Sequence, residues 1–238
     1  MRLLEFTTVE LMEGGNIWQN DLATNRISKE LVGPTVAFLE KITGLPLLGN
    51  MLGSTGIKET SGDIDLGVDA KKYSKDELVS KLQNWSSKKD KSAFIKKSGI
   101  CVHFRCPIAG KPNMGSVQVD FMFVPNLKFT HWSMTSNPDT KFQNKLRIIL
   151  IASLAKALGY RFDATKGLTN RETGKSITKG LNPDALARIL LNSNARAKDL
   201  TTIEGILAAL RNDPKRNEKL SDARETFLRY GESPNILK

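Results

Sequence analysis

The chain has 238 residues, of which 39% are hydrophobic, so it can bury a substantial core in one large domain or two small ones. No stretch approaches the roughly 20 apolar residues of a membrane-spanning helix. Glu5 interrupts the first apolar residues, so we do not expect a signal peptide. Two cysteines, Cys101 and Cys106, are too few for a disulfide framework. We therefore expect a cytoplasmic protein with reduced thiols and no membrane partner.

The formal net charge of +11 is concentrated towards the end of the chain. Residues 1–140 hold 17 Lys and Arg against 15 Asp and Glu, whereas residues 141–238 hold 19 against 10. Clustered cations bind polyanions such as RNA through the phosphates. The distribution favours an RNA partner for the C-terminal part, although a basic surface that serves only solubility has the same composition.

The first half of the chain alternates between helical and strand patterns. Helical spacing of apolar residues, with Ser28 as the N-cap, predicts a helix over 28–43 that ends at Gly44. An apolar run over 45–52 predicts a strand that enters a turn at Gly53. The patterns that follow predict a strand at 63–68, a helix at 74–88 and a hairpin of two strands at 100–107 and 116–124.

After residue 125 the pattern is mainly helical. It predicts a helix at 138–159, a small hairpin or loop at 160–180, and helices at 183–191, 200–212 and 217–230. The fold class expected is α+β, with a mixed sheet and flanking helices followed by a helical C-terminal domain. The corresponding domains are a catalytic one at 1–135 and a basic helical one at 136–238.

Three carboxylates in the predicted strands are candidate metal ligands. Asp63 and Asp65 occupy alternate positions of one strand, so their side chains share a face about 6–7 Å apart along the chain. Asp120, flanked by apolar residues, joins them if its strand is the neighbour. Carboxylates this close repel each other, and a bound Mg²⁺ or Mn²⁺ usually neutralises them. Two such ions can act together in one phosphoryl transfer. Alternatively, Asp63 caps a turn after Gly62, and the other two acids are solvated.

The turn upstream of these acids has the composition of a phosphate-binding segment. Gly53 allows the backbone to come close to a phosphate, and Ser54 offers a hydroxyl and an amide N–H. A helix that began here would direct its positive end at a triphosphate. Lys58 and Thr60 lie on the same connection and could add donors.

The order of these segments resembles the DNA polymerase beta-like nucleotidyltransferase superfamily. The matching segments are 52–54 (Leu-Gly-Ser), 63–66 (Asp-Ile-Asp-Leu) and 119–121 (Val-Asp-Phe). Lys58 and Thr60 make the linker similar to that of archaeal-type CCA-adding enzymes, poly(A) polymerases and oligoadenylate synthases, which carry a basic residue followed by Gly-Thr. This chain has Glu in place of that Gly.

The resemblance implies an enzyme that transfers NMP from an NTP to an acceptor hydroxyl and releases pyrophosphate. It implies that Asp63 and Asp65 bind both metal ions, that Asp120 helps to activate the acceptor hydroxyl, and that Gly53 and Ser54 hold the triphosphate. An RNA acceptor, such as a tRNA 3′ end, fits the basic C-terminal part. Open alternatives are a protein acceptor, as in toxin-like enzymes, a small-molecule acceptor, a nucleotide second messenger as the product, and a non-enzymatic RNA-binding module.

Two further lysines are candidates for the site, whereas a histidine in the predicted sheet is not expected to be a ligand. In related enzymes the region after the third acid often supplies a lysine to the triphosphate, and Lys141 and Lys145 are the candidates, with a solvated helix face as the alternative. His103 lies in a predicted strand, where a satisfied core or surface residue is the better expectation than a metal ligand. The chain has two histidines, so a structural zinc site is not expected.

Overall fold

The computed structural model divides the chain into two compact units between His131 and Trp132, whereas the sequence placed the boundary after residue 135. The described part is a mixed α+β protein with seven α-helices and a mixed four-stranded sheet, which confirms the predicted class. None of the helices in that part is long and apolar enough to cross a membrane. The residues described are 17–18, 24–89, 94–135, 137, 142, 144–177 and 181–237.

The first unit contains the central sheet. Its elements in chain order are β1 (Ile27–Ser28), α1 (Lys29–Thr43), β2 (Thr60–Ser61), β3 (Asp63–Asp69), α2 (Lys75–Lys89), β4 (Ile95–Ser98), β5 (Cys101–Pro107) and β6 (Ser116–Val124). Helix α3 (Leu127–Met134) follows and contains the boundary between the units. The sheet has the order β3-β6-β5-β4, with β3 parallel to β6 and the other pairs antiparallel. Strands β1 and β2 form a separate antiparallel pair. The predicted helices, the strand at 63–68 and the hairpin are thereby confirmed.

One face of the sheet forms the hydrophobic core, because apolar and polar residues alternate along its strands. Ile64 and Leu66 of β3 are fully buried together with Val36 and Leu39 of α1 and Leu82 of α2. Each fully buried aliphatic side chain stabilises the fold by roughly 1.5–3 kcal/mol. The residues that alternate with this set, including the acids of β3, therefore lie on the opposite face.

The prediction of a strand at 45–52 is wrong. Residues Leu48–Asn50 form a single 3₁₀ turn, and Met51 makes only an isolated bridge to β3. The carboxylate of Glu40 explains the turn, because it accepts hydrogen bonds from the backbone N–H groups of Leu47 and Leu48 at 2.6 and 2.9 Å. Those donors are therefore not available to a neighbouring strand.

The second unit combines helices with a hairpin. Its elements are α4 (Asn144–Ala157), β7 (Tyr160–Asp163), β8 (Gly167–Asn170), α5 (Pro183–Leu190), α6 (Ile203–Ala209) and α7 (Arg216–Arg229). The β7–β8 hairpin confirms the prediction for that region. Helix α6 begins later than predicted, because Ala197–Leu200 forms a 3₁₀ turn and Thr202 is the N-cap, accepting from the N–H of Gly205 at 3.0 Å.

Candidate metal centre

Strand pairing brings the three predicted acids together. In the parallel β3–β6 pair, Asp65 lies opposite Asp120, and Asp63 lies opposite Gln118. Each of the three acids offers a carboxylate oxygen within 4.8 Å of the other two. Asp120 is buried and the other two acids are half-buried, so the alternative of separate, solvated carboxylates does not describe this chain. The three residues form a group that could hold a metal ion.

Burial and the neighbouring carboxylates raise the pKa of Asp63 and of Asp65. Burial, followed by repulsion from Asp63 and Asp120, raises the pKa of Asp65 well above its ordinary value. Burial and the charge of Asp120 also raise the pKa of Asp63. Two unit charges 4.8 Å apart repel by about 3 kcal/mol at an effective dielectric constant of about 20. Within the described part of the chain, no side chain forms a hydrogen bond or salt bridge with the carboxylates of Asp63 or Asp65, and a cation would supply the missing counter-charge.

Asp120 differs from the other two acids because it has hydrogen-bond partners. His103 Nδ1 lies 2.8 Å from Asp120 Oδ1, and Gln118 Nε2 donates to Asp120 Oδ2 at 3.1 Å. His103 lies directly opposite Asp120 in the β5–β6 pair. His103 is thus a satisfied buried residue, as the sequence predicted, but sequence reasoning missed its contact with Asp120 and did not identify Gln118. The hairpin register could have identified His103, and the alternation of β6 could have identified Gln118.

The predicted glycine turn lies against Asp65. Gly53 has a φ of +63°, and a Cβ added to it would lie 3.2 Å from Asp65 Oδ2. The backbone N–H of Asp65 donates to Thr55 Oγ1 at 3.0 Å, a contact the sequence did not predict. The N–H groups of Gly53 and Ser54 have no acceptor among the residues described. Residues 53–57 form turns, so no helix begins at this segment to direct its positive end at a triphosphate.

The predicted donors Lys58 and Thr60 lie on the connection between this turn and β3. Lys58 is exposed. The Thr60 hydroxyl accepts hydrogen bonds from Nε and Nη2 of Arg26 at 3.2 and 2.9 Å, and the Thr60 carbonyl accepts from Nη2 at 3.1 Å. Arg26 is close enough to lower the pKa of Asp63, which opposes the larger effects of burial and Asp120. The structure thus adds a guanidinium group, absent from the predicted site, beside the acids.

The carboxylates, the guanidinium of Arg26 and the N–H groups of Gly53 and Ser54, which have no acceptor within the described ranges, are together suited to a divalent cation and a phosphate. No protein-family model matches this chain, and no curated protein matches its sequence. The chemistry of the site therefore has to be inferred from its own residues.

The two lysines proposed for the triphosphate belong to the second unit. Lys145 is in α4, and its Nζ lies 3.9 Å from the centre of the Tyr230 ring, a cation–π contact. Lys141 lies outside the described residues. A role of either lysine in nucleotide binding stays a prediction.

Proposed function

We propose that the protein is a metal-dependent nucleotidyltransferase that moves NMP from an NTP to an acceptor hydroxyl with release of pyrophosphate. The observation that carries the proposal is the convergence of the Asp63, Asp65 and Asp120 carboxylates within 4.8 Å. Oxygen-only ligands of high charge favour Mg²⁺ or Mn²⁺ over softer metals. The Gly53 turn supports the proposal because Gly53 lies close to Asp65, and the N–H groups of Gly53 and Ser54 have no acceptor among the described residues.

The residues of the chain have separate roles in this reaction. Asp63 and Asp65 would hold two cations together with Asp120, which also orients the acceptor hydroxyl. When bound, the cations would neutralise phosphate charge and make the acceptor hydroxyl easier to deprotonate. The N–H groups of Gly53 and Ser54 would donate to phosphate oxygens. The acceptor oxygen forms a bond to the α-phosphorus. The bond from that phosphorus to the oxygen that bridges to the β-phosphate breaks, which releases pyrophosphate. A base takes up the acceptor proton.

In this proposal, Arg26 would bind a phosphate oxygen of the leaving pyrophosphate. Three hydrogen bonds to Thr60 hold its Nε and Nη2, while Nη1 has no acceptor among the described residues. Nη1 lies 3.5 Å from the position of a Cβ on Gly62, the residue before Asp63. A guanidinium already ordered in this way would bind a phosphate oxygen with little further loss of conformational entropy.

RNA is the acceptor that the charge distribution favours. Residues 141–238 carry 19 Lys and Arg against 10 Asp and Glu, an excess suited to phosphate contacts. A polycationic acceptor such as an aminoglycoside would be repelled by the same surface.

The test is a transfer assay without a template. The protein is incubated with Mg²⁺ or Mn²⁺, total RNA and each α-labelled NTP in turn, and the products are separated into RNA, protein and small molecules. We expect label in RNA, its loss in Asp65→Asn, and its retention in Asp76→Asn, which makes the same change at an exposed position of α2. Label in protein or in small molecules would overturn the RNA acceptor but keep the reaction. No label in any fraction with the wild type would overturn the proposed reaction.

A further inference from the structure

Asp120 alone among the three acids receives side-chain hydrogen bonds from the residues described. His103 Nδ1 contacts one of its oxygens at 2.8 Å, and Gln118 Nε2 contacts the other at 3.1 Å. Gln118 is itself fixed, because its Oε1 accepts the backbone N–H of Ile17 at 3.0 Å. His103 is 8% exposed and Gln118 1% exposed, so water does not compete for these contacts.

The chemistry of the three side chains determines the direction of each hydrogen bond. The amide oxygen of Gln118 faces a backbone donor, so its NH₂ group faces Asp120. An ionised carboxylate can only accept, so His103 presents Nδ1–H to it. The carboxylate of Asp120 is therefore held at both oxygens, and it cannot rotate without breaking a contact. One lone pair on each oxygen remains for a cation.

We propose that His103 and Gln118 are positioning residues that hold the Asp120 carboxylate in the orientation that binds a divalent cation. Repulsion from Asp63 and Asp65 favours rotation of an unrestrained Asp120 away from them, and the two donors oppose it. This inference rests on the metal centre of the proposed function, but not on the identity of the reaction. Groups that orient metal ligands typically contribute about 10–100-fold to metal affinity.

A purely structural role for His103 makes a different prediction, and two substitutions separate the roles. Asparagine carries its amide nitrogen the same number of bonds from Cα as histidine carries Nδ1, so His103→Asn keeps a donor for Asp120. His103→Leu fills a similar volume without a donor. Gln118→Met removes the second donor at nearly constant volume, and it provides an independent test if His103→Leu does not fold.

The experiment is calorimetric titration of each variant with Mn²⁺ in the absence of nucleotide, together with thermal unfolding in EDTA. We expect His103→Leu and Gln118→Met to bind Mn²⁺ about 10–100-fold more weakly than the wild type. We expect His103→Asn to remain within about threefold of the wild type, whatever its unfolding temperature, because its donor is retained.

The outcomes that would count against the positioning role are distinguishable from the one that would count against the proposed reaction alone. Wild-type affinity in His103→Leu and Gln118→Met, or equal losses in the Asn and Leu variants of His103, would overturn the positioning role while leaving the metal centre intact. A wild type that binds no Mn²⁺ would overturn the metal centre and the proposed function with it. A wild type that binds Mn²⁺ but transfers no nucleotide would overturn the proposed reaction alone.

Discussion

Replacing Asp65 by asparagine should stabilise the metal-free protein and remove its response to metal. Asp65 repels two carboxylates that lie within 4.8 Å, at about 3 kcal/mol for each pair at an effective dielectric constant of about 20. The wild type relieves part of this repulsion by binding protons, as the raised pKa values of Asp63 and Asp65 indicate. The remaining gain for Asp65→Asn at pH 7 is about 1–3 kcal/mol.

Thermal unfolding measures this change. For a chain of this size, 1 kcal/mol corresponds to about 2–4 °C in melting temperature, so Asp65→Asn should melt about 2–12 °C above the wild type in EDTA. Mn²⁺ at about 100 times its dissociation constant should add about 2.7 kcal/mol to the wild type and far less to the variant. The difference between the two melting temperatures should therefore become smaller, or change sign, when Mn²⁺ is added.

Asp76→Asn is the matched control, because it makes the same substitution at an exposed helical residue outside the cluster. It should respond to Mn²⁺ as the wild type does. The electrostatic reasoning is refuted if Asp65→Asn melts below the wild type in EDTA, or if it gains as much as the wild type from Mn²⁺.

Three further predictions follow from the same geometry. Folding raises the pKa of Asp65 above its ordinary value, so the folded protein binds more protons than the unfolded chain. The metal-free wild type should therefore lose stability relative to Asp65→Asn as the pH rises from about 4 to 7 in EDTA melts; a constant difference would contradict this. Gly53→Ala should cost about 1–2 kcal/mol for its positive φ and weaken Mn²⁺ binding. Gly174→Ala, with a φ of +66° and open space around its Cβ, should incur the backbone cost alone, and equal Mn²⁺ affinities of the two variants would refute the contact with Asp65. Arg26→Ala should raise the KM for NTP about tenfold, as expected for a lost charged hydrogen bond, with Mn²⁺ affinity unchanged; an unchanged KM would exclude Arg26 from phosphate binding.

The sequence determined the elements whose signals are local. Alternation placed Asp63 and Asp65 on one face of a strand, and helical spacing with a glycine stop predicted α1, which ends at Gly44 in a left-handed conformation. The hairpin of β5 and β6 followed from a cluster of turn residues between two strand patterns. Each of these features depends on residues a few positions apart, and short-range periodicity is what a single sequence records.

The tertiary structure alone decided which elements that lie far apart in the chain became neighbours. The parallel pairing of β3 with β6, which places Asp65 opposite Asp120, joins segments more than fifty residues apart and leaves no local pattern in the chain. The contact of Arg26 with Thr60 also leaves no local pattern in the chain. Neither does the contact of the Glu40 carboxylate with Leu47, which stabilises a turn in the segment that the sequence predicted as a strand. Long-range contacts depend on the packing of the whole unit, so the surroundings of the three acids became visible only once the strands were assembled.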